Sequence, residues 1–322
     1  MGAAPRPPPT SHGKSVMNSS LFLSQLLNGL QLGVLLFLLS SGLTLIFGIM
    51  NFINLAHGSL YMVGAFVGAA TYNASGSFLF SLAAAVASAA IVGLVVEHLV
   101  ARPLYRHDHL YQVLATFGLM MFFNELAIVI WGNRPYFVTI PEVIRGSVEI
   151  LGAQYPVYRL LIIAVGVVVA FGAWFLIQKT RFGMLVRAGT THASMVSVLG
   201  ANVDLLKKSL FMLGAALAGL AGTLAGPILS VQSGMGDPVL ILALVVIVVG
   251  GIGSIRGALF AAILIAVIDT LGRAYLPQLL ALALAPTAAN TVGSALASML
   301  IYLLMAFVLA FRPHGLMVSA KR

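Results

Sequence analysis

Eight times between Leu21 and Phe311 the sequence enters a mostly apolar run long enough to cross a bilayer. That recurrence limits the fold more than any other feature, because a spanning helix needs about 20 such residues. The runs are Leu21–Phe47, Phe52–Tyr72, Phe78–Val100, Leu110–Trp131, Val157–Gln178, Leu210–Val231, Val239–Ile268 and Val292–Phe311. Hydrocarbon offers no partner to a peptide group, so each run must satisfy its own backbone, and a helix does so. The expected fold class is all-α, a polytopic membrane protein with about eight hydrophobic segments. Composition agrees: 8% of the residues are charged, against about 25% in soluble domains. Met1–Val16 is rich in proline and reads as a disordered tail. Leu21–Phe47 is too long for the core of a secretion signal and reads as a retained span. The expected division is a tail at 1–18, a transmembrane domain at 19–316 and a short tail at 317–322.

Charge orients the runs. Arg102 and Arg106 follow the third, Lys179, Arg181, Arg187, Lys207 and Lys208 lie between the fifth and sixth, and Arg312, Lys321 and Arg322 close the chain. Basic loops stay cytoplasmic. The net charge of +9 is thereby explained without nucleic-acid binding. The mixed loop Gly132–Pro156 belongs outside. Three full crossings after a cytoplasmic 179–208 loop would leave the C-terminus outside, so one run must be broken or re-entrant. Val239–Ile268 is the candidate, since Gly250, Gly251, Gly253 and Gly257 interrupt it. The expectation is two halves too short to span, meeting at mid-depth, with Leu276–Ala285 as an interfacial piece. The side of the N-terminus stays open.

A second interruption lies at Phe47–Leu60, where Asn51, Asn54, His57 and Gly58 fall on one face if helical. Such a face must meet protein or a water-filled path. Paired interrupted segments, one in each half of a chain, point to a transport route. Gly214–Gly226 repeats Gly or Ala at intervals of three and four, a packing face.

Enzyme chemistry finds little purchase. The absence of cysteine excludes disulfides and thiolate metal sites. The seven histidines make no defensible metal-ligand spacing, and no phosphate loop, Gly-x-Ser-x-Gly elbow or His-Glu-x-x-His occurs. No cofactor is expected. Intramembrane charges are Glu125, Arg256 and Asp269; Arg256 could face a solute carboxylate, pair with Asp269 or reach a lipid headgroup. Glu97 beside His98 fits a snorkelling group or a local pair. In the loop 179–208, Met195, Val196, Val198 and Leu199 give an apolar face ended by Gly200, suited to a membrane surface or a partner's groove.

From about Leu26 to Leu316 the chain resembles the permease subunits of bacterial branched-chain amino acid ABC importers of the leucine–isoleucine–valine type. The resemblance rests on Gly42-Leu-Thr-Leu-Ile-Phe-Gly-Ile-Met-Asn-Phe-Ile-Asn-Leu-Ala-His-Gly-Ser-Leu-Tyr-Met-Val-Gly-Ala65 and Gly250-Gly-Ile-Gly-Ser-Ile-Arg-Gly-Ala258. Arg102-Pro-Leu, Leu114-Ala-Thr-Phe-Gly-Leu119, Leu217-Ala-Gly-Leu-Ala-Gly222 and Arg312-Pro-His-Gly-Leu316 support it. It implies a second, usually different, permease subunit, two cytoplasmic ATPase subunits, a periplasmic solute-binding protein and a bacterial inner-membrane location. ATP hydrolysis then belongs to the partners, and the chain itself is no enzyme. It also implies that Arg181–Asn202 is a coupling helix, with Arg181, Gly183, Arg187, Ala188, Met195, Val198, Leu199 and Gly200 facing an ATPase. Here the chain departs from the family, having Thr191, His192, Ala193 and Ser194 where acids are common. Asn51, Asn54, His57, Gly58, Gly250, Gly251, Gly253, Ser254 and Arg256 are the expected pathway or pore-shaping residues. Related permeases serve urea, other amino acids and small organic acids, so the cargo stays open. An ion-coupled carrier would need intramembrane acids, of which only Glu125 and Asp269 are available. A membrane enzyme would need a cluster of histidines and acids at one depth.

Overall fold

The computed structural model describes residues 19–198 and 200–317. Helices dominate, as the apolar runs require, and seven of those described are long and apolar enough to cross a membrane. The first, α1 (Ser19–Met50), lies along α10 (Ile255–Leu280). Gly33 of α1 meets Ile263, and Gly48 meets Gly253, so the two run antiparallel. The other pillar is α8 (Val203–Ala225). Its small residues let neighbours approach to backbone contact: a Cβ on Gly64 would lie 2.3 Å from Gly219 Cα, and one on Gly42 2.6 Å from Gly214 Cα. The Gly214–Gly226 stretch therefore packs inside the subunit, with Gly64 on α2 (His57–Ser75) and Ala89 on α3 (Phe78–Val96) as partners. Leu38, Phe52, Tyr61, Phe66, Phe211 and Leu224 fill the main core around α8.

The described residues of all three basic stretches gather at one end of the bundle. A π-helical turn, Glu97–Ala101, extends α3 into the short α4 (Arg102–Leu104). From there Arg102 reaches Asp204 at the start of α8, 2.8 Å away. At the same end Leu316 N–H donates to Val249 O at 2.8 Å, tying the C-terminal residues to α9 (Gly236–Gly250). The mixed loop 132–156 lies at the opposite end and holds a hairpin of β1 (Ser147–Ile150) and β2 (Ala153–Pro156), with Ile150 opposite Ala153. Between the two ends run α5 (His109–Trp131) and α6 (Val157–Lys179). The chain closes with α11 (Pro286–Phe311), returning from the far end to the basic one. Because α1 finishes at the basic end, Ser19 starts at the opposite one.

The interruptions differ in detail from the expectation. Val239–Ile268 is broken at 251–254, as its glycines imply. The break lies at the basic end, however, and α10 has 26 residues, enough to cross. Leu276–Leu280 belongs to α10 rather than to an interfacial piece, and Pro277 fits there because it packs on Gly293 of α11. The expected spans at Phe52–Tyr72 and Leu210–Val231 are each shortened by a non-helical stretch, 51–56 before α2 and 226–235 after α8. The parity problem thus resolves through an extra return crossing, half non-helical chain (226–235) and half helix (α9).

Candidate functional site

The chain leaves α1 through Asn51, whose φ of 49° is the left-handed turn that asparagine tolerates at a helix end. It then climbs back beside α1 as 51–56 and starts α2 at His57. From the opposite end, 226–235 descends and starts α9 at Gly236. The two starts meet. A Cβ on Gly58 would lie 2.6 Å from Gly236 O, and one on Gly236 would lie 2.0 Å from Gly58 O. The depth follows from the helices. His57 Nε2 is 3.2 Å from Leu39 O, about 16 Å along α1 from Met50. Counted along α9, Gly236 stands about 22 Å from the basic end. The first value falls near the middle of a hydrocarbon layer about 30 Å thick, and the second lies within that layer.

Neither helix start has a side-chain cap. In α2 the His57, Ser59 and Leu60 N–H groups already bond to Asn54 O and Ala56 O, and in α9 Asp237 N–H bonds to Gly234 O, so the junction offers an anion the positive ends of two helix dipoles rather than a set of free N–H groups. Asp237, in the first turn of α9, answers part of that field. Its Oδ2 accepts from Asn124 Nδ2 at 3.0 Å. Around the junction, both amide atoms of Asn54, His57 Nδ1, Ser59 Oγ, Asn124 Oδ1 and Asp237 Oδ1 are buried without a protein partner. Asn54 and His57 are 1% and 0% exposed. A buried unpaired polar group costs about 1–3 kcal/mol, so this arrangement does not serve stability. Chemically, the helix N-termini favour an anionic group, and the amide, imidazole and Asp237 groups have hydrogen-bonding capacity left over.

Of the expected pathway residues, the structure brings Asn54, His57 and Gly58 together at the junction. The others lie at the basic end. Asn51 is exposed, with Nδ2 3.2 Å from His109 Nε2. Gly250 packs on Gly257. Gly251, at φ 99°, packs on the carbonyls of His314 and Met317, and Gly253 packs on Gly48. Ser254 caps α10 by accepting from Gly257 N–H at 3.1 Å. Arg256 is exposed there and does not pair with Asp269, which binds Arg273 at 2.8 Å. Glu125 is exposed on α5. Glu97 is buried and neither snorkels nor pairs with His98, since Tyr105 OH donates to it at 3.1 Å. Sequence reasoning missed Gly236, Asp237, Asn124 and Ser233, although Gly-Met-Gly-Asp-Pro after an apolar helix is a turn signal that could have found them.

The coupling stretch forms one helix, α7 (Arg181–Val198), longer than its apolar face suggested. Arg181 and Ala188 are exposed, and Val198 is 86% exposed. Gly183 is buried against Ile177 O, and Arg187 donates to the same carbonyl. Gly200 turns the chain at φ 82°. Met195 lies within α7, and Leu199 lies outside the described residues.

The family model described as "Branched-chain amino acid transport system / permease component" matches residues 25–309. This chain belongs to that permease family. The permease is 29% identical over 311 residues to the high-affinity branched-chain amino acid transport system permease protein BraD of Pseudomonas aeruginosa, covering 92% of this chain and 95% of BraD. It is 30% identical over 276 residues to LivH of Salmonella typhimurium, named likewise, covering 79% of this chain and 87% of LivH. LivH of Escherichia coli K12 is 29% identical over the same length. No solved structure matches the permease.

Proposed function

We propose that this permease is the membrane component of an ATP-driven importer that moves branched-chain amino acids from the periplasm to the cytoplasm by alternating access. The observation that carries the reading is the pair of uncapped helix starts in backbone contact at mid-depth, beside buried and unpartnered Asn54 and His57. A solute carboxylate is favoured at the helix starts, and Leu43, Leu55 and Leu240 nearby supply apolar surface for a branched side chain. The basic end is the cytoplasmic one by the positive-inside rule. There α7 presents Arg181, Ala188 and Val198 to an ATPase. The assembly comprises a second permease subunit, two ATPase subunits and a periplasmic binding protein in the bacterial inner membrane. Gly250–Arg256 shapes the cytoplasmic mouth by seating the C-terminal residues. The relatives carry branched-chain amino acid transport in their names, which supports the cargo.

The test is uptake of radiolabelled leucine into proteoliposomes holding the assembled complex, with ATP supplied to the ATPase side. Uptake that requires ATP and falls in Asn54→Leu is expected. Uptake that follows a proton or sodium gradient without ATP would overturn the reading.

A further inference from the structure

At the basic end one side chain touches three elements at once. Tyr105, just past α4, donates its hydroxyl to Glu97 Oε1 at 3.1 Å, on the π turn. Lys207 Nζ, from the second turn of α8, sits 4.6 Å from the centre of its ring. Phe52, in the non-helical stretch 51–56, meets the same ring edge-on with centroids 5.7 Å apart. Arg102 and Asp204 add an ion pair between the same two segments. Beyond Phe52, which is fully buried, the chain reaches Asn54 and His57 within five residues.

The surroundings hold Tyr105 in place. Glu97 is 1% exposed, so its bond to the tyrosine is formed away from solvent. The π turn that carries Glu97 is a local departure from α geometry, a feature that recurs at functional sites and marks hinges. The stretch 51–56 is also held from the other side, because Gln112 Oε1 accepts from Ile53 N–H at 3.3 Å. A displacement at the start of α8, directly after α7, therefore reaches the 51–56 stretch through Tyr105. A second contact, between Gly189 of α7 and Ile49, ends on the continuous helix α1 instead.

We propose that Tyr105 is a positioning residue that carries movement of the α7–α8 corner to the stretch 51–56, and so to Asn54 and His57. The proposal rests on the reading of α7 as the ATPase-facing helix. Atoms on that route are packed ring to ring and hydrogen-bonded, so a shift at one end has no slack to vanish into.

The chain has no cysteine, so labelling Asn51→Cys in the purified permease before the partners are added places a single fluorophore on the 51–56 stretch. In the assembled complex, nucleotide binding is expected to change its emission, and Tyr105→Ala is expected to reduce that change at least about tenfold, within the range of ordinary coupling energies. Tyr105→Phe keeps both ring contacts, loses only the bond to Glu97, and is expected to show a smaller reduction with assembly intact. A full response in both variants overturns the relay and assigns coupling to the α7–α1 contact. So does the absence of any nucleotide response in the parent protein. Leucine uptake by the unlabelled parent complex tests the functional reading separately: a nucleotide-driven response in the labelled protein with no leucine uptake by the unlabelled parent sinks the cargo assignment and leaves the relay standing.

Discussion

Adding one methyl group at the half-helix junction should do the opposite of what it does at Gly118 and Gly172. Neither Gly58 nor Gly236 has a positive φ, so alanine fits the backbone at both and only space matters. In Gly58→Ala the new carbon would sit 2.6 Å from Gly236 O, and in Gly236→Ala it would sit 2.0 Å from Gly58 O. Contacts below 3.0 Å are not sustained, and both obstacles are backbone. The helix starts must then part by at least about 0.4 Å in the first variant and about 1 Å in the second, in a region already packed to interior density. Overpacking of that kind costs about 1–3 kcal/mol, with Gly236→Ala at the upper end and Gly58→Ala at the lower. Gly118 on α5 and Gly172 on α6 face open space; there the same substitution gains about 0.5–1 kcal/mol from helix propensity alone. Thermal unfolding of the purified protein in one detergent should therefore rank Gly118→Ala and Gly172→Ala above the parent, Gly58→Ala below it and Gly236→Ala lowest. A common sign across all four variants, or Gly236→Ala milder than Gly58→Ala, would refute the head-to-head packing.

Gly251→Leu places a branched side chain at φ 99° against the His314 and Met317 carbonyls; uptake should be abolished while the protein still inserts and purifies, as checked by membrane yield. Asn54→Leu removes two unpaired buried amide atoms and should raise stability by about 1 kcal/mol while lowering leucine uptake, so unfolding and transport must move in opposite directions. Burial first, and then the neighbouring Glu97 carboxyl group, hold the Tyr105 phenol above its ordinary pKa. Stability from this site is complete below about pH 10, where the unfolded chain's phenol begins to ionise, and is lost as pH rises beyond it. The Tyr105 contribution, read as the difference in unfolding midpoint between parent and Tyr105→Phe, should thus stay flat from about pH 6 to about pH 9.

Much of the architecture could be read from hydropathy because lipid enforces it. A run of apolar residues flanked by charge leaves helix as the solution, and small residues spaced as in Gly214–Gly226 can only mean close approach. The breaks were half legible. Glycine marks where a helix can stop but not the depth at which it stops. The Gly250–Gly253 break lies at the bundle end because the C-terminal residues 314–317 pack on it, and nothing local in 250–258 announces a partner that distant. The mid-depth break before Gly236 was hidden for a related reason: Ile228, Leu229 and Val231 look like more helix. That segment leaves the helix through a turn at 226–228, and Val231 then pairs with Tyr136 across 95 positions of sequence. Asn54 and His57 were found because a polar group among apolar neighbours stands out in any membrane sequence. Asn124, inside α5, and Asp237, in the first turn of α9, gain meaning only from each other.

Both non-helical stretches lean on the same helix, which bears on how the site could change shape. The first is held by α5 through Gln112, whose Oε1 takes the Ile53 N–H, and Thr116, whose hydroxyl donates to Ile53 O at 3.4 Å. The second is held by α5 at Asn124, whose backbone carbonyl accepts from Ser233 Oγ at 2.7 Å and whose side-chain amide donates to Asp237. Gln112 and Asn124 are separated by about 18 Å along the helix, too far to interact, so Gln112→Leu and Asn124→Leu should destabilise additively, by about 1–2 kcal/mol each. Transport should not follow that rule. If α5 carries the two stretches as one rigid strut, releasing either already uncouples the junction, and the double variant should import leucine no more slowly than the worse single variant. If the stretches move independently, the two losses in uptake multiply. Additive stability with non-multiplying uptake is thus the signature of the strut, and multiplying uptake losses would show that each half-helix is positioned by its own loop.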